Sequence, residues 1–83
     1  MPRYYFHIRS GGALQADIDG IDLPTHTAAL EEAILGAREM VADRVRNGEE
    51  IGNEQFEVVD EDGKTIHVLP FRSVIRLRDC PSK

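Results

Sequence analysis

The side chains with the most chemical capacity crowd the first ten positions, where Tyr5, His7 and Arg9 alternate with Tyr4, Phe6 and Ile8. Successive side chains of an extended segment point to opposite sides, so Tyr5, His7 and Arg9 form one row: a π face, a titratable ring and a guanidinium. Tyrosine and arginine are favoured anchors of protein interfaces, which makes this row a candidate binding surface for a protein partner or a second copy. Base stacking by such a row is the way RNA-recognition sheets work, but their glycine-aromatic segment is missing here. Ser10 follows His7 by three residues, next to Gly11-Gly12, and is the local arrangement closest to a nucleophile beside a base. A turn serine and a strand histidine rarely align for proton transfer, and no third group stands ready to orient the ring. The chain is therefore not expected to be an enzyme.

His7, His26 and His67 are the three imidazoles, none at the i, i+4 spacing of helical metal ligands, whereas a catalytic zinc takes three protein ligands. No metal and no cofactor are expected. The remaining route to a metal or a small enzyme is a meeting of His7 and His67 on one sheet face. Asp17-Asp19-Gly20-Asp22 and Asp60-Asp62-Gly63 echo calcium loops, but Gln15 and Val58 hold the first ligand position and the closing glutamate is absent. Turn chemistry accounts for both stretches.

The elements that must carry these residues follow from periodicity. Residues 3 to 9 and about 13 to 18 read as a β-hairpin around Gly11-Gly12. Asp17 to Asp22 mark a bend off the sheet. Thr25 is the candidate helix N-cap, with Thr27 competing, and Gly48 the candidate left-handed stop, so one helix should run to about Asn47. Leu30, Ala33, Ile34, Ala37, Met40, Val41 and Val45 share an arc at 3.6 residues per turn, with Arg44 at its edge and Leu35 on its flank. A second hairpin follows, residues 55 to 60 and a strand with Ile66 and Val68 about the Asp60-Gly63 turn. Pro70 ends it, and Phe71, Val74 and Ile75 have the spacing of a short helical turn.

These elements predict an α+β fold in the order ββαββ: a four-stranded, mainly antiparallel sheet, one long helix on one face, and a short C-terminal helical turn. The expected core is Tyr4, Phe6, Ile8, Leu30, Ile34, Ala37, Val41, Phe56, Val58, Ile66 and Val68. One domain over 1–78 and a flexible tail over 79–83 are expected.

Fifteen acidic and ten basic side chains leave a formal charge of -5, which repels a phosphate backbone unless Arg9, Arg72, Arg76 and Arg78 are gathered on one face. Nucleic acid is thus not the expected partner. Cys80 is the one cysteine, so no intrachain disulfide is available. No apolar run approaches the roughly 20 residues of a membrane span. A reducing cytoplasm is the expected compartment. A domain this short buries only about 60% of its unfolded surface, and association would stabilise it.

Met1-Pro2-Arg3-Tyr4-Tyr5-Phe6-His7-Ile8-Arg9, the Asp19-Gly20 and Leu23-Pro24 step into Ala28, Ala29, Ala33 and Ala37, and Val59-Asp60-Glu61-Asp62-Gly63 with Leu69-Pro70-Phe71 carry a resemblance over nearly the whole chain. Together they resemble a family of small proteins of unknown function common in rhizobia and related alphaproteobacteria. That resemblance implies a short cytosolic α+β domain and attaches no role to His7. The hairpin and the run Ala28-Ala29-Leu30-Glu31-Glu32-Ala33 are also similar, more loosely, to HicB-type antitoxins, which implies a toxin- or nucleic-acid-binding regulator as the alternative. Asp22-Leu23-Pro24-Thr25 stands where those proteins have a glycine-cysteine turn. The leading expectation is a non-enzymatic protein-interaction module able to form a homodimer.

Overall fold

In the computed structural model, which describes residues 1–76, β1 (Arg3–Ser10), β2 (Ala13–Gln15), β3 (Ile21–Asp22), α1 (His26–Arg46), β4 (Gln55–Val59), β5 (Thr65–Pro70) and a 3-10 turn (Phe71–Val74) follow in order. The expected tail over 79–83, with Cys80 and Ser82, lies outside the described residues, as does Arg78 before it. The architecture is α+β, as the periodicities predict: an antiparallel sheet in the order β2-β1-β4-β5, with β3 also paired to β1.

The first strand behaves as its alternation requires. Tyr4, Phe6 and Ile8 point to the helix side, where Tyr4 is buried and Phe6 and Ile8 are half-covered. Phe6 and Ile8 pair across to Val58 and Phe56, which are buried on the same side. Tyr5, His7 and Arg9 point the other way, opposite Val59, Glu57 and Gln55.

The expected second strand is shorter than its pattern. Pairing stops at Gln15, the chain swings out over 16–20, and Ile21–Asp22 return to Tyr4 and Arg3 as a separate short strand. Asp17 causes the break, because its side chain replaces a strand. Its Oδ2 accepts the Phe6 N–H at 3.1 Å, and its Oδ1 accepts the Asp19 and Gly20 N–H groups. A carboxylate sitting where a neighbouring carbonyl would sit also closes this sheet edge to other chains. Gly20 completes the excursion at φ 72, where a Cβ would meet Arg3 Cγ at 2.8 Å and Tyr5 Cε2 at 2.9 Å.

Both helix ends form as the caps predict. Thr25, rather than Thr27, caps the start, its Oγ1 accepting the Ala28 N–H at 3.0 Å. At the far end Gly48 (φ 74) donates to the Val45 carbonyl and Glu49 to that of Arg44, a Schellman closure.

The core corrects the expected one in three places. The helix row against the sheet is Ala29, Ala33, Ala37 and Val41, while Leu30 and Ile34 are only half-buried on its flank. Small side chains win the inner row because they let the helix axis come close to the strands. Val68 is exposed, facing away from the helix opposite Glu57. The cause is a bulge: Val58 pairs with His67 and Val59 with Thr65, so Ile66 is the extra residue, and His67 and Leu69 take the helix side. Ile66 does pack on the core. The third correction is a pair of additions, Phe71 of the 3-10 turn, which is fully buried, and Val59, which is buried opposite Tyr5.

Candidate functional site

The candidate surface is the sheet face opposite the helix, and the strand register sets its rows. Leu14, Arg9, Gln55 and Pro70 form one row across the strands; His7, Glu57 and Val68 form the next; Tyr5, Val59 and Thr65 form a third. The helix and the 3-10 turn both pack on the other side, with Phe71 in the same cluster as the helix alanines. The three residues expected to bind, Tyr5, His7 and Arg9, are therefore brought together, with the Tyr5 and His7 rings stacked at 6.5 Å between centroids.

Two polar groups of the row, those of Arg9 and His7, are held by a neighbour. Arg9 grips Glu57 with two nitrogens, Nε at 2.6 Å and Nη2 at 3.4 Å, and Gln55 Nε2 donates to the same carboxylate at 2.9 Å. Those donors, Arg9 first and Gln55 second, hold the Glu57 carboxyl below the usual carboxylate range. His7 is anchored from the edge: the Asp17 N–H donates to its Nδ1 at 3.0 Å, so the neutral ring carries its proton on Nε2. At one end, Arg3 pairs with Asp22 at 2.9 Å. Apolar groups alternate with these polar ones, Leu14 beside Arg9 and Val68 beside Glu57, both exposed. A fixed guanidinium, a stacked tyrosine and flanking aliphatic groups can bind a complementary surface without reordering long side chains, which lowers the entropic cost of contact.

Sequence reasoning found the β1 row and missed Glu57, Gln55 and Asp17. Alternation in β4 carried the signal for Glu57 and Gln55, because both fall out of phase with Phe56 and Val58. The residues marked Asp17 as the start of a polar bend, which its bonds from Asp19 and Gly20 bear out, but no local signal announced its bond to Phe6 across eleven residues.

The other sequence candidates are dispersed. Ser10 pairs with Ala13 on the helix side of β1, away from His7. His67 also lies on the helix side, so His7 and His67 do not meet. The His67 Nε2–H donates to the His26 carbonyl at 2.8 Å, and the His26 ring stands edge-on to both His67 and Tyr4, at 6.4 and 5.8 Å. Among the described residues no three His, Cys, Asp or Glu side chains are grouped to hold a metal ion. Of the four arginines considered for nucleic acid, Arg9 is committed to Glu57, Arg72 and Arg76 lie at and beyond the 3-10 turn, and Arg78 lies outside the described residues. Among the described residues no helix is long and apolar enough to cross a membrane.

The Asp17 carboxylate staples the sheet edge beside the row, and its pH response has a definite sign. Partial burial opposes its ionisation, but the N–H groups of Phe6, Gly20 and Asp19 outweigh it and hold the carboxyl below its ordinary value. A depressed folded-state value adds stability that is present above the unfolded value, about 3.9, and is lost as pH falls through the folded one. Replacing Asp17 by Asn is expected to cost about 1–3 kcal/mol at neutral pH and to flatten the acid limb of stability below about pH 4. Urea unfolding of both proteins across that range checks it; parallel acid limbs would mean that Asp17 is not the staple.

The chain matches the model of a family described as Domain of unknown function (DUF6894) over residues 3–72, a span holding every residue of the row. No curated protein and no solved structure matches it.

Proposed function

The chain belongs to the DUF6894 family, a domain of unknown function, and from that premise we propose that it is a non-enzymatic, cytoplasmic protein-interaction module that binds a protein partner through the open sheet face. One observation carries this reading: the face opposite the helix presents Tyr5, His7 and Arg9 in a row fixed by Asp17 and Glu57, with exposed Leu14 and Val68 alongside. Tyrosine and arginine at the centre of a patch with apolar flanks are the composition of interface anchors. The separation of Ser10, His7 and His67 supports binding over hydrolysis. Placing a photo-crosslinking amino acid at Tyr5 or Val68 in the native cells should trap a discrete partner protein, and the same probe at Glu39 on the outer helix should not. No adduct from either sheet position would refute the proposal.

A further inference from the structure

The helix carries a second apolar side that the fold leaves unused. Alanines fill its sheet-facing row, and the larger aliphatic groups stand outside it, with Leu35 53% and Val45 65% exposed. At 100° per residue, Glu31, Ile34, Leu35, Arg38, Ala42 and Val45 fall on one stripe. Glu31, Ile34, Leu35 and Arg38 line a shallow groove of about 350 Å³.

Two charges bracket the apolar pair, and neither has an opposite charge three or four residues away on the helix. Around Glu31 those positions hold Thr27, Ala28, Ile34 and Leu35; around Arg38 they hold Ile34, Leu35, Val41 and Ala42. Among the described residues neither makes an ion pair, whereas Arg44 pairs with Glu54 and Arg46 with Asp43.

We propose that this stripe docks a second copy of the chain, with the two helices antiparallel about a two-fold axis at Ile34 and Leu35. The pattern is self-complementary in that orientation alone. Ile34 of one copy meets Leu35 of the other, each Glu31 meets an Arg38, and Thr27 faces Ala42. Small residues at that last pair let the axes approach to the roughly 8–10 Å of packed helices. A parallel arrangement would set Glu31 on Glu31 and Arg38 on Arg38. For a chain with a net charge of -5, a contact whose own charges cancel is the one that avoids repulsion at close range. Apolar burial drives the association and the charges set its direction. The two open sheet faces then point outward on opposite sides of the dimer, so a chain that binds through that face binds as a pair. The inference rests on the helix alone and does not depend on what the open face does.

Sedimentation equilibrium of the full chain from micromolar to millimolar concentration tests it, with circular dichroism as the check on folding. The expected result is a reversible monomer–dimer equilibrium that Leu35→Glu weakens at least about tenfold, a change of about 1.4 kcal/mol. Glu31→Arg and Arg38→Glu should each weaken it, and the two together should restore it. Tyr5→Ala should leave it unchanged. A strictly monomeric chain, a dimer indifferent to Leu35→Glu, failure of the double charge reversal to restore association, or a dimer broken by Tyr5→Ala would each overturn the proposal.

Discussion

Replacing Phe71 by alanine should cost about 3–5 kcal/mol, the range for a large aromatic removed from a close-packed interior. At roughly 0.05–0.15 kcal/mol per residue, the whole domain holds only about 4–12 kcal/mol, so this one side chain accounts for much of its stability. The reason is geometric. Phe71 has no exposed surface; its ring lies 5.0 Å from that of Phe56, and the Arg44 guanidinium sits 5.8 Å above it. Its backbone N–H donates to the Glu54 carbonyl at 2.9 Å, and the Glu54 carboxylate pairs with Arg44 at 3.0 Å. The end of β5, the start of β4 and the last turns of the helix therefore meet on one ring. Thermal unfolding should show a midpoint roughly 12–40 °C lower, from about 4–8 °C per kcal/mol at this size. A drop of only a few degrees would mean that the 3-10 turn is a dispensable appendage.

Ala33→Leu should be the most damaging change on the helix, although it adds hydrophobicity. Ala33 is 1% exposed in the middle of the row against the sheet, and the added carbons have to displace a strand or the helix. Overpacking of that kind costs about 1–3 kcal/mol, occasionally more. By contrast, Leu35→Ala, on the exposed side, should change the stability of the monomer by no more than about 0.5 kcal/mol. Urea denaturation of both variants at low concentration decides the matter. The opposite ranking would place Leu35, not the alanines, against the sheet.

How much of this was readable from residues alone follows from what set each feature. The first strand was, because a half-buried strand shows its alternation directly in Tyr4, Phe6 and Ile8 against Tyr5, His7 and Arg9. Both helix ends were, because Thr25 and Gly48 act within a few residues of themselves. The inner helix row was readable in part: Ala37 and Val41 were expected in the core and are buried, but periodicity ranks apolar positions by size and favoured Leu30 and Ile34 where close approach to the sheet selects Ala29 and Ala33. Val68 was misplaced for a different reason, since the bulge at Ile66 changes which residues of β5 share a side with Val58. Phe71 follows Pro70, a residue that signals the end of a strand, and nothing local says that the chain then folds back under the helix. At the open face the row on β1 was visible, but its supports came from elsewhere in the chain: Glu57 from β4 and Asp17 from the excursion at the sheet edge.

These supports also define how the surface responds to acid. Besides Asp17 and Glu57, Asp22 is held below its usual range by its hydrogen bond from Arg3. All three shifts have the same sign, so the ordered state of the open face and its edge is favoured above the ordinary carboxylate range and weakened as pH falls through it.

The claim that matters most is that the sheet face away from the helix is the working surface. Nitrogen-15 spectra of the labelled chain, recorded in buffer and then in lysate of its native cells, test it directly. Selective loss of signal is expected at Tyr5, His7, Arg9, Leu14, Glu57 and Val68, with the helix signals retained. Intensities unchanged at those six positions, or losses centred on the helix instead, would contradict it.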